Sequence, residues 1–144
     1  MRLLLDPVGR LRAQRFAVLA GFIVTVAVPA AATPRHPHLD KSGKTQRGMA
    51  SYYGPHHAGK RTASGKPMRP SSLTAASPNL PLGTKAKVTN RHTGKSVNVT
   101  VNDRGPYAKG RIIDLSARAA EVLDMKQAGV VPVEVEPVEF PPED

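Results

Sequence analysis

The chain has 144 residues, with 21 Lys and Arg against 11 Asp and Glu, a formal net charge of +10 at pH 7 and no cysteine. That length allows one domain with short tails, and the missing thiol excludes disulfide stapling and a lipid anchor on sulfur. A body this basic is expected to meet a polyanion or an anionic surface.

Residues 2–15 carry Arg2, Arg10, Arg12 and Arg15 against Asp6, Phe16 to Val28 is apolar apart from Gly21 and Thr25, and small residues follow at Ala30, Ala31 and Ala32. This order predicts a secretory signal peptide over 1–32, cleaved near Ala32. The apolar run is shorter than the roughly twenty residues that span a bilayer, so contact with a membrane is expected only in transit. Residues 33–47 hold little that packs and read as a flexible spacer. The domain is expected over 48–140, with 141–144 an acidic tail. Gly48 to Tyr53 reads as a first strand, and 54–72, rich in Gly, Pro, Ser, Lys and His, as a long loop. Thr84–Arg91 and Lys95–Asn102 read as a hairpin across His92-Thr93-Gly94. Ile112–Leu115 is a short buried strand, and Ser116 is placed to cap a helix over Ala117–Met125. Val130–Val138 alternates Val131, Val133 and Val135 with polar neighbours, which makes a last strand despite Pro132 and Pro137. Many short strands, one or two short helices and Gly-Pro turns point to a mainly β fold, a small closed barrel.

The most telling stretch is Val99-Thr-Val-Asn-Asp-Arg-Gly-Pro-Tyr107. An alternating strand runs into a turn where Gly105 accepts positive φ and Pro106 cannot donate to a ladder, so the strand stops. Asp103 therefore falls at a sheet rim, where binding and catalysis are often placed. Charge is uneven as well. Lys41 to Val133 holds sixteen basic and four acidic residues, whereas Glu134 to Asp144 holds five acids and no base. The expected export and the lack of a helix-turn-helix, zinc-finger or RNP-type pattern argue against nucleic acid as the partner. An anionic cell wall fits better.

Seven segments occur in order: Gly48-Met-Ala-Ser-Tyr-Tyr-Gly54, Thr62-Ala-Ser-Gly65, Leu73-Thr-Ala-Ala76, Leu80-Pro-Leu-Gly-Thr84, Val88-Thr-Asn90, Val101-Asn-Asp-Arg-Gly-Pro-Tyr107 and Gly110-Arg-Ile-Ile-Asp-Leu-Ser116. Together they resemble the double-psi β-barrel domain of the rare lipoprotein A family, the septal-ring lytic transglycosylases of bacteria. The resemblance implies a six-stranded barrel in the periplasm or cell wall, with a groove that binds peptidoglycan glycan strands stripped of stem peptides. It also implies that Asp103 is the catalytic residue. Five scattered histidines with no thiol and no ligand spacing argue against a metal site, and no cofactor is expected. Arg104, Tyr53, Lys66, Ser77, Tyr107 and Asp114 are the expected substrate contacts. The family's Glu falls on Lys66, a nearby family Asp on Arg69, and its His on Ser77. Three groove positions thus depart from the pattern, two with reversed charge.

A lytic transglycosylase needs no attacking water, so one carboxyl group can act first as acid and then as base. The alternative is a non-catalytic module whose basic groove grips glycan or anionic wall polymer, with Tyr52, Tyr53 and Tyr107 offering faces to sugar rings. Simpler roles stand beside these. Asp114 can satisfy amides at the helix start, Arg104 can hold a carboxylate or loop carbonyl, and Ser77 has no neighbouring base to make it a nucleophile.

Overall fold

The computed structural model describes residues 38–144, so the signal peptide expected over 1–32 and the first part of the spacer lie outside the described residues. Six strands form: β1 (Gln46–Tyr52), β2 (Thr74–Ala76), β3 (Lys85–Asn90), β4 (Ser96–Asp103), β5 (Arg111–Leu115) and β6 (Val131–Glu139). They close in the order β1-β5-β2-β4-β3-β6. The β1–β5 and β2–β4 pairs are parallel and the other four antiparallel. One helix, α1 (Ala117–Val122), and a 3-10 turn at Pro55–His57 complete the regular structure of the described residues. The six-stranded closed barrel expected from the resemblance is what forms.

The valine alternation explains the interior. Val97, Val99 and Val101 of β4 and Val131, Val133 and Val135 of β6 are buried, while their neighbours along the strands are exposed or half-buried. Period-two patterning sends one side of each strand inward. Ile113 and Leu115 of β5, Val88 of β3, and Leu80, Leu123 and Met125 from the connections fill the rest. No aromatic ring is among these buried residues; Tyr52 and Phe140 only pack against the edge of the core. Closure removes free sheet edges, which a small antiparallel-rich sheet would otherwise expose.

The hairpin of β3 and β4 pairs Lys85 to Thr89 with Thr100 to Ser96, as the sequence predicts. Both prolines of β6 are accommodated. Pro137 sits where the β3–β6 register shifts, a position that needs no regular ladder bond. Pro132 lends its carbonyl to the Arg91 amide at 2.9 Å. The Ser116 hydroxyl accepts from the Ala119 amide, so the expected cap is present, but α1 ends at Val122 rather than Met125. Asp124 follows at φ 54, a left-handed residue that stops the helix. β1 starts at Gln46, two residues inside the span read as spacer, and the Asp40 amide donates to the Asn79 carbonyl at 2.7 Å. β2 was not expected as a strand. Its three residues are too few to show a period, and pairing with β4 and β5 on either side defines it.

Gly48 is required by packing. A Cβ there would lie 2.6 Å from Ile112 Cγ2 and 3.2 Å from the Gly110 carbonyl oxygen. Ile112 is the residue bypassed by the β1–β5 register shift, where Met49 faces Arg111 and Ala50 faces Ile113.

Candidate functional site

A second register shift shapes the rim. Ala75 of β2 pairs with Val101, but Ala76 pairs with Asp103, leaving Asn102 as an extra residue of the β-bulge kind. Strict alternation would send Asp103 into the interior behind Val97, Val99 and Val101. With the extra residue that alternation is broken, and Asp103 is half-buried at the end of β4. Gly105 follows at φ 102, the positive value expected of it.

Both Asp103 oxygens are engaged. Oδ2 accepts from the Tyr53 hydroxyl at 2.9 Å. Oδ1 accepts from the Ala63 and Arg104 amides, each at 2.9 Å. The Ser64 amide donates to the Asn102 carbonyl at 3.0 Å, so the 61–67 turn is stapled to the end of β4 at two points. The turn is closed by the Thr62 hydroxyl, which donates to the Lys66 carbonyl at 2.7 Å, and by a bridge between Arg61 and Pro67. Tyr53 is partly withdrawn from water. Burial pushes its phenol well above the ordinary value, and the hydrogen bond to Asp103 and the charges of Asp103 and Asp114 act in the same direction. It stays a donor across the neutral range. The His57 ring tilts against it with centroids 5.1 Å apart.

Ala76 also pairs with Asp114 of β5, so the two carboxylate-bearing strands flank β2. Two strand spacings separate their backbones, about 10 Å. Asp114 does not serve the helix start, as one reading of the sequence had it, because Ser116 already caps α1. Its Oδ2 instead accepts from Arg111 Nη2 at 2.9 Å. Asp114 Oδ1 and Arg111 Nε are buried without a hydrogen-bond partner among the described residues.

Other expected contacts fall elsewhere. Arg104 turns away from the carboxylate beside it in sequence; Nη1 donates to the carbonyls of Leu80 at 2.6 Å and Ser77 at 3.1 Å. This is the loop-carbonyl role, because two carbonyls converge where no acid does. Ser77 is only 1% exposed, and its hydroxyl accepts from the Leu80 amide at 3.0 Å and donates to Asn79 Oδ1 at 3.3 Å. The place expected of it in the groove is therefore corrected: its oxygen organises the 77–80 turn and is closed to a ligand. Tyr107 is 79% exposed, just past the turn at Gly105.

Two cavities adjoin this region, one reaching Asn102 beside Asp103 and the other reaching Tyr53. One, of about 400 Å³, is lined by Lys66, Pro67, Arg69, Ser72, Thr74 and Asn102. The other, of about 310 Å³, is lined by Tyr52, Tyr53, Pro55, Pro70 and Lys126 among others. Arg69 lines the first and its chain neighbour Pro70 the second. Sequence reasoning had not singled out Ser72, Thr74 or the Ala63 amide, since neither a hydroxyl in a loop nor a backbone N–H carries a distinguishing letter.

Residues 45–135 match the family model described as lytic transglycolase. The chain is 45% identical over 105 residues to the endolytic peptidoglycan transglycosylase RlpA of Campylobacter jejuni, covering 73% of this chain and 38% of that protein. It is 44% identical over 130 residues to the probable endolytic peptidoglycan transglycosylase RlpA of Synechocystis, covering 88% and 39%. The chain thus spans about two fifths of the length of these relatives. Among solved structures, a Streptomyces papain inhibitor superposes with a TM-score of 0.56 at 29% identity, covering 67% of this chain and 96% of that one. Apo Clavibacter michiganensis expansin superposes with 0.54 at 25% identity, covering 69% and 53%. The barrel, the ordered motifs and the match across them agree: the chain belongs to the rare lipoprotein A family of double-psi β-barrel lytic transglycolases.

Proposed function

We propose that this protein is a cell-wall lytic transglycosylase that cleaves peptidoglycan glycan strands at Asp103. The observation that carries the reading is the rim carboxylate itself. It stands where the resemblance puts the family's catalytic aspartate, it is held by the Tyr53 hydroxyl and the Ala63 amide, and cavities open at Asn102 beside it and at Tyr53. The relatives are named for this activity on peptidoglycan.

The chemistry asks for one carboxyl group. Asp103 gives its proton to the glycosidic oxygen as the bond from that oxygen to the muramoyl anomeric carbon breaks. The resulting carboxylate takes the proton of the muramoyl 6-hydroxyl as that oxygen closes on the same carbon. A 1,6-anhydro ring forms, no water is consumed, and the proton given by Asp103 is returned to it. Tyr53 and the Ala63 amide keep the carboxyl aimed, which is the positioning such a step needs. The tyrosine-lined cavity offers ring faces to sugars on one side of the cleavage point. Glycan strands are the partner; an exported location, in the periplasm or wall, is the setting this requires.

A second reading, a glycan-binding barrel without turnover, is favoured by Lys66, Arg69 and the closed Ser77 hydroxyl at positions where the resemblance puts the family's Glu, Asp and His. Liquid chromatography of denuded glycan strands separates the two. Wild type is expected to produce anhydromuramoyl ends, and Asp103→Asn to slow their appearance by about 100-fold or more. Strands that stay intact with wild type, yet are retained by it, leave only the binding reading. Activity that appears only in Lys66→Glu/Ser77→His would mean that this groove has lost its catalyst.

A further inference from the structure

Four cations gather on one short segment without a counter-charge. Lys60, Arg61, Lys66 and Arg69 fall within ten residues, and no acid occurs between Asp40 and Asp103. All four are exposed, and none forms an ion pair among the described residues, whereas eight other cations do. The segment is held firmly. The Met68 amide donates to the Lys60 carbonyl at 2.7 Å, the Gly59 amide to the Met68 carbonyl at 2.9 Å, and Arg61 bridges Pro67, so 59–68 is a narrow antiparallel turn. Thr62 and Met68 are buried and anchor it, and the Ala63 and Ser64 amides fasten its tip to Asp103 and Asn102. Lys60 and Arg61 stand on the outgoing side of this turn, Lys66 and Arg69 on the return. Like charges so held repel, and an anion relieves the repulsion. Because the backbone is already fixed, little freedom is lost when that anion arrives.

We propose that the 60–69 turn is a docking site for a polyol-phosphate polymer of the bacterial envelope, a flexible chain with one phosphodiester per repeat. The inference adds a second ligand to the reading above and needs no turnover at Asp103. Cations on both sides of the turn suit repeated anions better than one small anion, because each further contact forms at high effective concentration. The guanidinium forks of Arg61 and Arg69 match phosphate oxygens, and Lys60 and Lys66 supply point charges. Lys66 and Arg69 also line the cavity of about 400 Å³ whose walls include Ser72, Thr74 and Asn102, groups that pair with the hydroxyls of a polyol spacer. Two other polyanionic surfaces fit less well. None of the exposed large apolar side chains lies between 58 and 70, so the turn has nothing to insert into a bilayer. No Phe, Tyr or Trp occurs between Tyr53 and Tyr107, so it also lacks a ring on which nucleic-acid bases stack.

The test is an isothermal titration of the full chain with poly(glycerol phosphate) over a range of salt. The polymer is expected to bind at least about tenfold more tightly than glycerol phosphate itself. With four cations in contact, log K should fall with log salt at a slope of about −3, on the scale of single-stranded polyanions. Lys60→Gln/Arg61→Gln and Lys66→Gln/Arg69→Gln are each expected to bring that slope to about −1.5 and to weaken binding about tenfold or more. Lys41→Gln/Lys85→Gln removes the same charge elsewhere and is expected to leave the slope unchanged. All these positions are exposed, and circular dichroism matching wild type shows that the variants fold. An unchanged slope in both 60–69 variants, or an equal loss in the Lys41/Lys85 variant, overturns the site. Glycerol phosphate that binds as tightly as the chain does the same. Equal affinity for polygalacturonate or for single-stranded DNA also overturns it, because the turn then reads charge alone. Phosphatidylglycerol vesicles that hold the protein against competing polymer overturn it in favour of a lipid surface.

Discussion

Asp103 is held by three donors, and each has a consequence. Tyr53→Phe removes one of them without changing the ring, and the half-buried hydrogen bond is expected to be worth about 1 kcal/mol in urea unfolding. The same tyrosine gives a pH signature. Its phenol is raised in the folded state, so the stability it contributes is fully present below the ordinary tyrosine range. That stability is lost as pH climbs above about 10, where the unfolded chain gives up the proton first. Tyr53 is expected to ionise above the ordinary tyrosine range when absorbance is followed through an alkaline titration. Asp103→Asn should bring that step back toward the ordinary range, although burial, the larger cause, keeps part of the rise. A Tyr53 step within the ordinary range would mean that the pair at the rim does not form. Asp103 itself was legible in the sequence as the residue where the valine alternation ends. Its partners Tyr53 and Ala63 were not, because the extra residue at Asn102 and the approach of the 61–67 turn are defined only by pairing between distant segments.

Elements depend on a few contacts that the sequence partly announces. Ser116 is buried and caps α1, and Ser116→Ala is expected to cost about 1 kcal/mol of stability. Gly48→Val would drive a side chain against Ile112 in the β1–β5 contact, and a loss of about 1–3 kcal/mol is expected. Chemical denaturation of both variants checks these values; a neutral Gly48→Val would show that the Ile112 side chain moves freely. The helix, the hairpin and the last strand could be read from caps, turn residues and alternation, all of which are local. β2 could not. Thr74-Ala75-Ala76 has no pattern of its own, and the long loop before it conceals which residues return to the sheet. Ser77 shows the same limit from the other side, since a motif position marks a place in the chain but not whether its oxygen faces a groove or a turn.

Across the molecule, opposite charges are sorted. The acids of the C-terminal end lie on or beyond β6, and they pair with cations of β1, β3 and their flanks: Arg47 with Glu134 at 2.9 Å, Lys85 with Glu139 at 3.1 Å and Lys41 with Glu143 at 2.7 Å. The acidic end therefore folds back onto the basic body, and the 60–69 stretch keeps its charge free. Two double replacements with equal loss of net charge should then behave differently. Lys66→Gln/Arg69→Gln is expected to weaken retention on a carboxylated resin more than Lys41→Gln/Lys85→Gln. Retention of wild type should fall as salt rises, because exposed charges are screened. Equal effects of the two replacements would mean that only total charge matters. The pairs themselves add little to folding. Glu134→Gln is expected to change stability by less than about 1 kcal/mol, as for other exposed pairs.

The sequence alone determined the mainly β barrel, the hairpin, the helix cap and the rim position of Asp103, since each follows from neighbours a few residues apart or from ordered motifs. The tertiary structure decided what those residues face. It placed Asp103 beside a register shift and within reach of Tyr53 and Ala63, turned Arg104 onto loop carbonyls, enclosed Ser77, and set Lys66 and Arg69 on one cavity without an acid. These outcomes depend on which distant strands pair and in what register, and a linear pattern of side chains does not specify that geometry.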